Sequence, residues 1–330
     1  MAIGVFGAGA LQRIPDAGAD LTRPIAVTLA LLWLAIASRI VLRAVRHGMA
    51  VYTRPVIPSF AIGTWVAASA VVARLAMLAA PSDLWLAKGV WILAVGLWGW
   101  FIPRALRNLV QLSSARDVRP NGAILLSTVA TQAIALLAFR LYPQLRWSTS
   151  PLIALGAACY VAGAFVILRH YATDRGWRLA GDWDNSNCIL HGALSITGLA
   201  AATSGVLSDT TATLLWACTG AVLVMVEAIE LARAIVRLRL FGWRDGLLVY
   251  DVSQWARNFT FGMFYAFTLA FAERFDPHAA LHAARLLILR FGPYVVLFFL
   301  VAEAGLMLLH FGRGLGCRGN GSATGGLDSI

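Results

Sequence analysis

In the stretch QWARNFTFGMFYAFTLAF, Gln254–Phe271, one aromatic ring stands apart from the rest. On a helix Phe259, Gly262, Ala266 and Ala270 share one face, because they follow one another at offsets of three, four and four. A large ring alone on a small-residue face can plug a narrow passage and swing aside to open it. Ordinary helix packing is the competing reading. Stripes of small, weakly polar residues recur in other runs: Gly63, Ala67 and Ala70; Ser127, Thr131, Ala135 and Ala138; Gly192, Ser195, Gly198, Ala202 and Gly205. Such stripes let helices pack closely in lipid. They also suit the wall of a pore, which bulky side chains would close.

Charges inside apolar runs are the second group of candidates, since each costs roughly 2.5–3.5 kcal/mol at the centre of an inserted helix. Arg74 either draws anions toward an outer mouth or snorkels to nearby headgroups. Arg257 precedes Phe259 by two residues, and at 100° per residue it points roughly 160° away, which suits a structural pair. Glu227 and Glu230, one helical step apart, and Glu303 suit pairing with Arg233, Arg290 or a neighbouring subunit. His191 titrates near neutral pH when unperturbed, though a lone histidine is more often a hydrogen-bonded structural group. No cluster of His, Cys and carboxylates has metal-ligand spacing, and no phosphate- or dinucleotide-binding glycine motif occurs. No catalytic residue, cofactor or metal is therefore expected.

The elements that must carry these residues are membrane helices. Of the 330 residues 59% are hydrophobic and only 13% charged, and the mean hydropathy is +0.74. A soluble domain carries about a quarter charged residues, so the apolar surplus must face lipid and the chain reads as an all-α integral membrane protein. A span needs roughly 20 mostly apolar residues. Runs of that length fall near 24–43, 58–80, 84–102, 122–142, 150–170, 188–207, 211–235, 252–271 and 286–309. Breaks are marked by Pro55 and Pro58, Pro81, Pro103, Pro120, Pro143, Asp209, and Asp276 with Pro277. The N-terminal MAIGVFGAGALQ is too short to cross. The small-residue stripes sit on every other span, which predicts an inner ring of striped helices and an outer ring of bulkier ones.

A net charge of +11 invites a nucleic-acid partner, but the arginines lie in short loops between apolar runs. Seventeen of them, among them Arg39, Arg43, Arg54, Arg104, Arg116, Arg175, Arg233 and Arg318, fall on one side of the alternating topology, against seven basic residues on the other. That asymmetry is the signature of cytoplasmic loops, and it places the C-terminus in the cytoplasm and excludes a nucleic-acid surface. The seven include Arg13, Lys88, Arg140 and Arg274. The four cysteines have no paired or zinc-like spacing, and the first twelve residues lack the basic start of a cleavable signal peptide. Residues 1–311 form the expected transmembrane pore domain, and the glycine-rich segment 312–330 is expected to be a disordered cytoplasmic tail.

Four runs resemble the tellurite-resistance/dicarboxylate transporter family, which includes the plant slow-type anion channels. PSFAIGTWVAASAVVARL (Pro58–Leu75) resembles its third helix, and NGAILLSTVATQAIALLA (Asn121–Ala138) its fifth, notably in VATQ. HGALSITGLA (His191–Ala200) is similar to the seventh, and QWARNFTFGMFYAFT to the ninth. The resemblance implies about ten spans in five hairpins, with odd-numbered helices around a central pore and trimers of such subunits. It implies passage of anions: dicarboxylates such as malate, sulfite, tellurite or small inorganic anions. It also implies a phenylalanine plug four residues after the ninth-helix tryptophan, which counted from Trp255 is Phe259. Thr260 stands where many members carry proline or glycine, so the kink beside the plug is expected to be weaker. The opening residues match only the tail of the family's first helix, and a start set too late is the expected reason.

The expectation is thus an anion channel or transporter in a bacterial inner membrane, with small anions and the lipid bilayer as partners and no enzymatic activity. Phe259 is the expected gate. Gly63, Ala67, Ser127, Thr131, Ser195, Gly198, Gly262 and Ala266 are the expected lining, with Arg74 attracting anions. A proton-coupled C4-dicarboxylate carrier would need a titrating group facing the pore, for which His191 is the candidate. An integral-membrane enzyme would need Glu227, Glu230 and His191 to converge.

Overall fold

The computed structural model describes residues 1–48, 56–115, 118–274 and 279–319. Arg54, Arg116, the expected breaks at Pro55, Asp276 and Pro277, and the tail from 320 onward lie outside the described residues. Among the described residues every regular element is helical. A short α1, Ala2–Ala8, is followed by α2, Ala17–His47, α3, Ile62–Ala79, and α4, Trp85–Ser114. Then come α5, Leu126–Leu141, α6, Arg146–Thr173, α7, Ile189–Ser204, and α8, Asp209–Gly246. The last two are α9, Trp255–Arg274, and α10, Ala279–Gly319.

Local chemistry sets the ends of the helices. Ala80 and Tyr142 leave the helical region with φ −143° and −137°, as residues ahead of Pro81 and Pro143 must. Gly205 closes α7 in the left-handed region at φ 69°, and its N–H and that of Val206 return to the carbonyls of Ala201 and Ala202. The helices α3, α5, α7 and α9 are each entered through a 3-10 turn, at Pro58–Ala61, Gly122–Leu125, Asn185–Cys188 and Val252–Gln254. The side chains of Asn121, Asp184 and Asp251 cap three of these turns, Asp251 in a capping box with Gln254. These turns are also tied together. The Gly122 N–H donates to Asn187 Oδ1 at 2.9 Å, and Asn185 Nδ2 to Ser253 Oγ at 2.9 Å.

Several boundaries differ from the sequence reading, two of them instructively. The break expected at Pro103 is absent, and α4 runs through it to Ser114. Pro103 removes one helix hydrogen bond, the one to the Gly99 carbonyl, and a membrane helix tolerates that loss where neighbouring helices support it; at the next carbonyl, that of Trp100, Arg104 Nη1 donates at 2.6 Å. At the other end α10 continues past Phe311 to Gly319, so part of the expected tail is helical.

Consecutive odd-numbered helices touch, α1 with α3, α3 with α5, α5 with α7, α7 with α9, and α9 with α1, so the five close into a ring. The even-numbered helices lie outside it, each against two ring members. Burial follows. The most apolar stretch of Gly122–Leu141 is 83% buried, against 6% for Asp20–His47 and 11% for Leu281–Gly312. Among the described residues seven helices are long and apolar enough to cross a membrane, and α7 and α9 are not among them. Fifteen of the 16 residues of α7 are buried. A helix surrounded by protein does not need a lipid-compatible exterior, so hydropathy understates it.

Close approach makes the ring possible. A Cβ on Gly122 would lie 1.8 Å from the Ser186 carbonyl oxygen, and one on Gly192 2.2 Å from Thr260 Cγ2. The first contact is with backbone, which cannot rotate away. Gly122→Ala is therefore expected to destabilise the protein by about 1–3 kcal/mol, the usual cost of overpacking. Gly89→Ala, where nothing lies within 4 Å, should leave the detergent-solubilised melting midpoint unchanged or slightly raised.

Candidate functional site

The five ring helices enclose a cavity of about 300 Å³. Its wall takes Val5 from α1, Ala67, Ala70 and Arg74 from α3, Ala133, Leu137 and Arg140 from α5, and Ile196 and Leu199 from α7. From α9 it takes Phe259, Met263, Ala266, Ala270 and Glu273, and Gln12 and Arg13 follow α1. Phe259 is 2% exposed and lies near the start of α9, whereas Arg74, Arg140 and Glu273 come from the later turns of their helices. Phe259 therefore marks one end of the chamber and the charges mark the other.

Of the residues expected to line a passage, Ala67, Ala266, Phe259 and Arg74 are on this wall. Arg74 faces the cavity instead of reaching outward to lipid. Gly63, Ser127, Thr131, Ser195, Gly198 and Gly262 are not on the wall of this cavity. The three glycines are helix joints. Gly63 abuts the Leu126 carbonyl, Gly198 the Phe267 ring, and Gly262 the side chain of Val5. The hydroxyls are used within the helices: Ser127 donates to the Ile124 carbonyl, Thr131 to that of Ser127, and Ser195 to that of His191, at 2.7–2.8 Å. Thr131 also accepts from Trp98 Nε1 of α4 at 3.0 Å. Small size serves contact here, as it commonly does between helices in lipid.

Sequence reading missed Arg13 and Arg140, which it counted only as charges at loop ends, and Glu273, which it did not single out. A sharper signal was present. Ala67, Ala70 and Arg74 follow at offsets of three and four, Ala133, Leu137 and Arg140 at four and three. On α9 the wall steps Phe259, Met263, Ala266, Ala270, Glu273. Each charge continues a helical face that is otherwise small or apolar.

A second polar cluster joins α8 to α9 beside the entry turns. Arg257 Nη2 meets Glu230 Oε2 at 2.6 Å, and its Nε lies 3.6 Å from Glu227 Oε1. Arg233 pairs with Glu230 at 3.5 Å and also donates to Asn185 Oδ1. Trp183 Nε1 donates to Glu230 Oε1 at 2.8 Å. His191, fully buried, has Nε2 4.0 Å from Glu227 Oε1. Glu227, Glu230 and His191 do converge, as an intramembrane enzyme would require. Two carboxylates there face two guanidiniums, however, and none of the three residues is on the cavity wall. Arg257 and Arg233 take the glutamates of α8, so Arg290 is not their partner among the described residues. Glu303, 7% exposed, forms no ion pair among the described residues.

Thr260, beside Phe259, donates its hydroxyl to the Arg257 carbonyl at 2.9 Å, so a side chain stitches this turn of α9 where a proline would open it. Comparison with family models and with curated proteins gave no match for this chain.

The Arg257–Glu230 pair sets up a test of the cluster. Truncating one member strands a buried charge, so Arg257→Ala and Glu230→Ala should each cost about 3–5 kcal/mol. The double variant, which removes both charges, should cost much less than their sum in a thermal-unfolding double-mutant cycle.

Proposed function

We propose that this chain is a membrane anion channel or transporter of the tellurite-resistance/dicarboxylate transporter type, with Phe259 as its gate. In this reading about ten helices, paired as five hairpins, cross a bacterial inner membrane with the C-terminus in the cytoplasm. The ring of odd-numbered helices surrounds the path, and three copies assemble. Dicarboxylates, sulfite, tellurite or small inorganic anions are the cargo.

One observation carries the reading. The cavity between the ring helices is walled by three arginines and one glutamate and ends at a phenylalanine. A net-positive chamber, open at its charged end and set in an otherwise apolar ring, favours anions over cations, because its walls focus the field of its arginines. Phe259 then has only to change rotamer to join the chamber to the other half of the ring. A proton-coupled carrier would need its titrating group on the wall; His191 is not on it, and Glu273, the wall's carboxylate, pairs with Arg13.

The reading is tested by anion efflux from liposomes containing the purified protein. Phe259→Ala should raise the flux at least several-fold while cation leak stays at background. Unchanged anion flux from correctly folded variant protein would remove Phe259 from the path.

A further inference from the structure

Arg74 and Arg140 share the cavity wall, and among the described residues neither forms an ion pair. The remaining cation, Arg13, is 2.9 Å from Glu273 Oε1 at the mouth, where the two side chains are 50% and 63% exposed. Arg74 forms no hydrogen bond or ion pair among the described residues. Arg140 has a buried Nε with no hydrogen-bond partner. The two guanidiniums act on one another electrostatically, and Arg140 also feels Glu273. The wall around them, including Val71, Leu78, Leu136 and Leu137, is apolar.

Two like charges held together in an apolar chamber are unfavourable until an opposite charge enters. With Arg13 offset by Glu273, the charge left over is that of two guanidiniums. Each presents a planar fork of donors suited to an anion with several oxygens, and less well matched by a monatomic halide. The chamber holds the volume of about ten waters, at ~30 Å³ each, which is ample for a four-oxygen ion. We propose that Arg74 and Arg140 form a saturable binding site for a divalent oxyanion, and that Glu273 is the built-in carboxylate with which that ion competes. The site deepens the transport reading by making the vestibule a place where an anion is held, with Glu273 setting how tightly. It rests on that reading only in supposing that anions enter this chamber.

Binding is measurable without flux. The full chain in detergent is titrated with sodium sulfate against sodium chloride at fixed ionic strength, and unfolding is followed by tryptophan fluorescence. Sulfate also stabilises proteins by exclusion from their surfaces, an effect that rises without a plateau and ignores single side chains. The expected result is a saturable sulfate response that chloride does not reproduce. Arg74→Gln and Arg140→Gln should each weaken the apparent affinity about tenfold or more, as loss of charge-assisted hydrogen bonds does. Glu273→Gln should tighten it several-fold. If a glutamine variant fails to fold, Arg74→Lys or Arg140→Lys keeps the charge but not the fork, and an intermediate weakening is expected. A response that never saturates, or that is the same in the Arg74 and Arg140 variants, overturns the site. Saturable sulfate binding in a protein that passes no anions would overturn the transport reading and leave the site standing. Flux without saturable binding would do the reverse.

Discussion

Helices that face protein on every side must meet at backbone distance, and the ring of α1, α3, α5, α7 and α9 depends on that constraint being met at each joint. Where Gly122 passes the Ser186 carbonyl and Gly192 passes Thr260, a single methyl group would force the elements apart. The outer helices have no such requirement. They lie in the grooves between ring members and turn exposed leucine, valine and phenylalanine outward, as Leu31 on α2 and Phe298 on α10 do. The same packing therefore separates a small-residue interior from a bulky exterior and leaves a chamber on the axis.

Charge is handled in two ways at the two ends of the ring. Beside the entry turns, Arg257 and Arg233 meet Glu227 and Glu230, and the hydrogen bonds of Trp183 and Asn185 complete the set. A pair of this kind holds α9 against α8, with Arg257 Nη2 and Trp183 Nε1 on the two oxygens of Glu230. At the far end Arg74 and Arg140 are left open to the cavity. One group of buried charges is thus paired across two helices, and the other faces a cavity.

Much of this organisation was legible in the sequence. Proline and glycine punctuation located the helices to within a few residues at most inner ends, and alternation of small-residue stripes anticipated which helices would lie inside. Hydropathy sees only the stretch that lipid would cover, so it undershot α8 and α10, which run on beyond it. Pro103 misled because a proline ends a helix only where the preceding turn cannot accommodate it. The lining was the least legible feature. A stripe of glycine, serine and threonine marks close contact as readily as an open wall: Gly63 abuts the Leu126 carbonyl, and Ser127 and Ser195 bond within their own segments. The wall itself is alanine, leucine and methionine ending in arginine, a pattern visible only when the charge at the end of each face is counted with the face.

The self-bonded hydroxyls have a further consequence. Ser127, Thr131 and Ser195 each give their proton to a carbonyl one turn back along their own segment. What the ring helices take from serine and threonine here is small volume, with the polarity cancelled inside the helix that carries it.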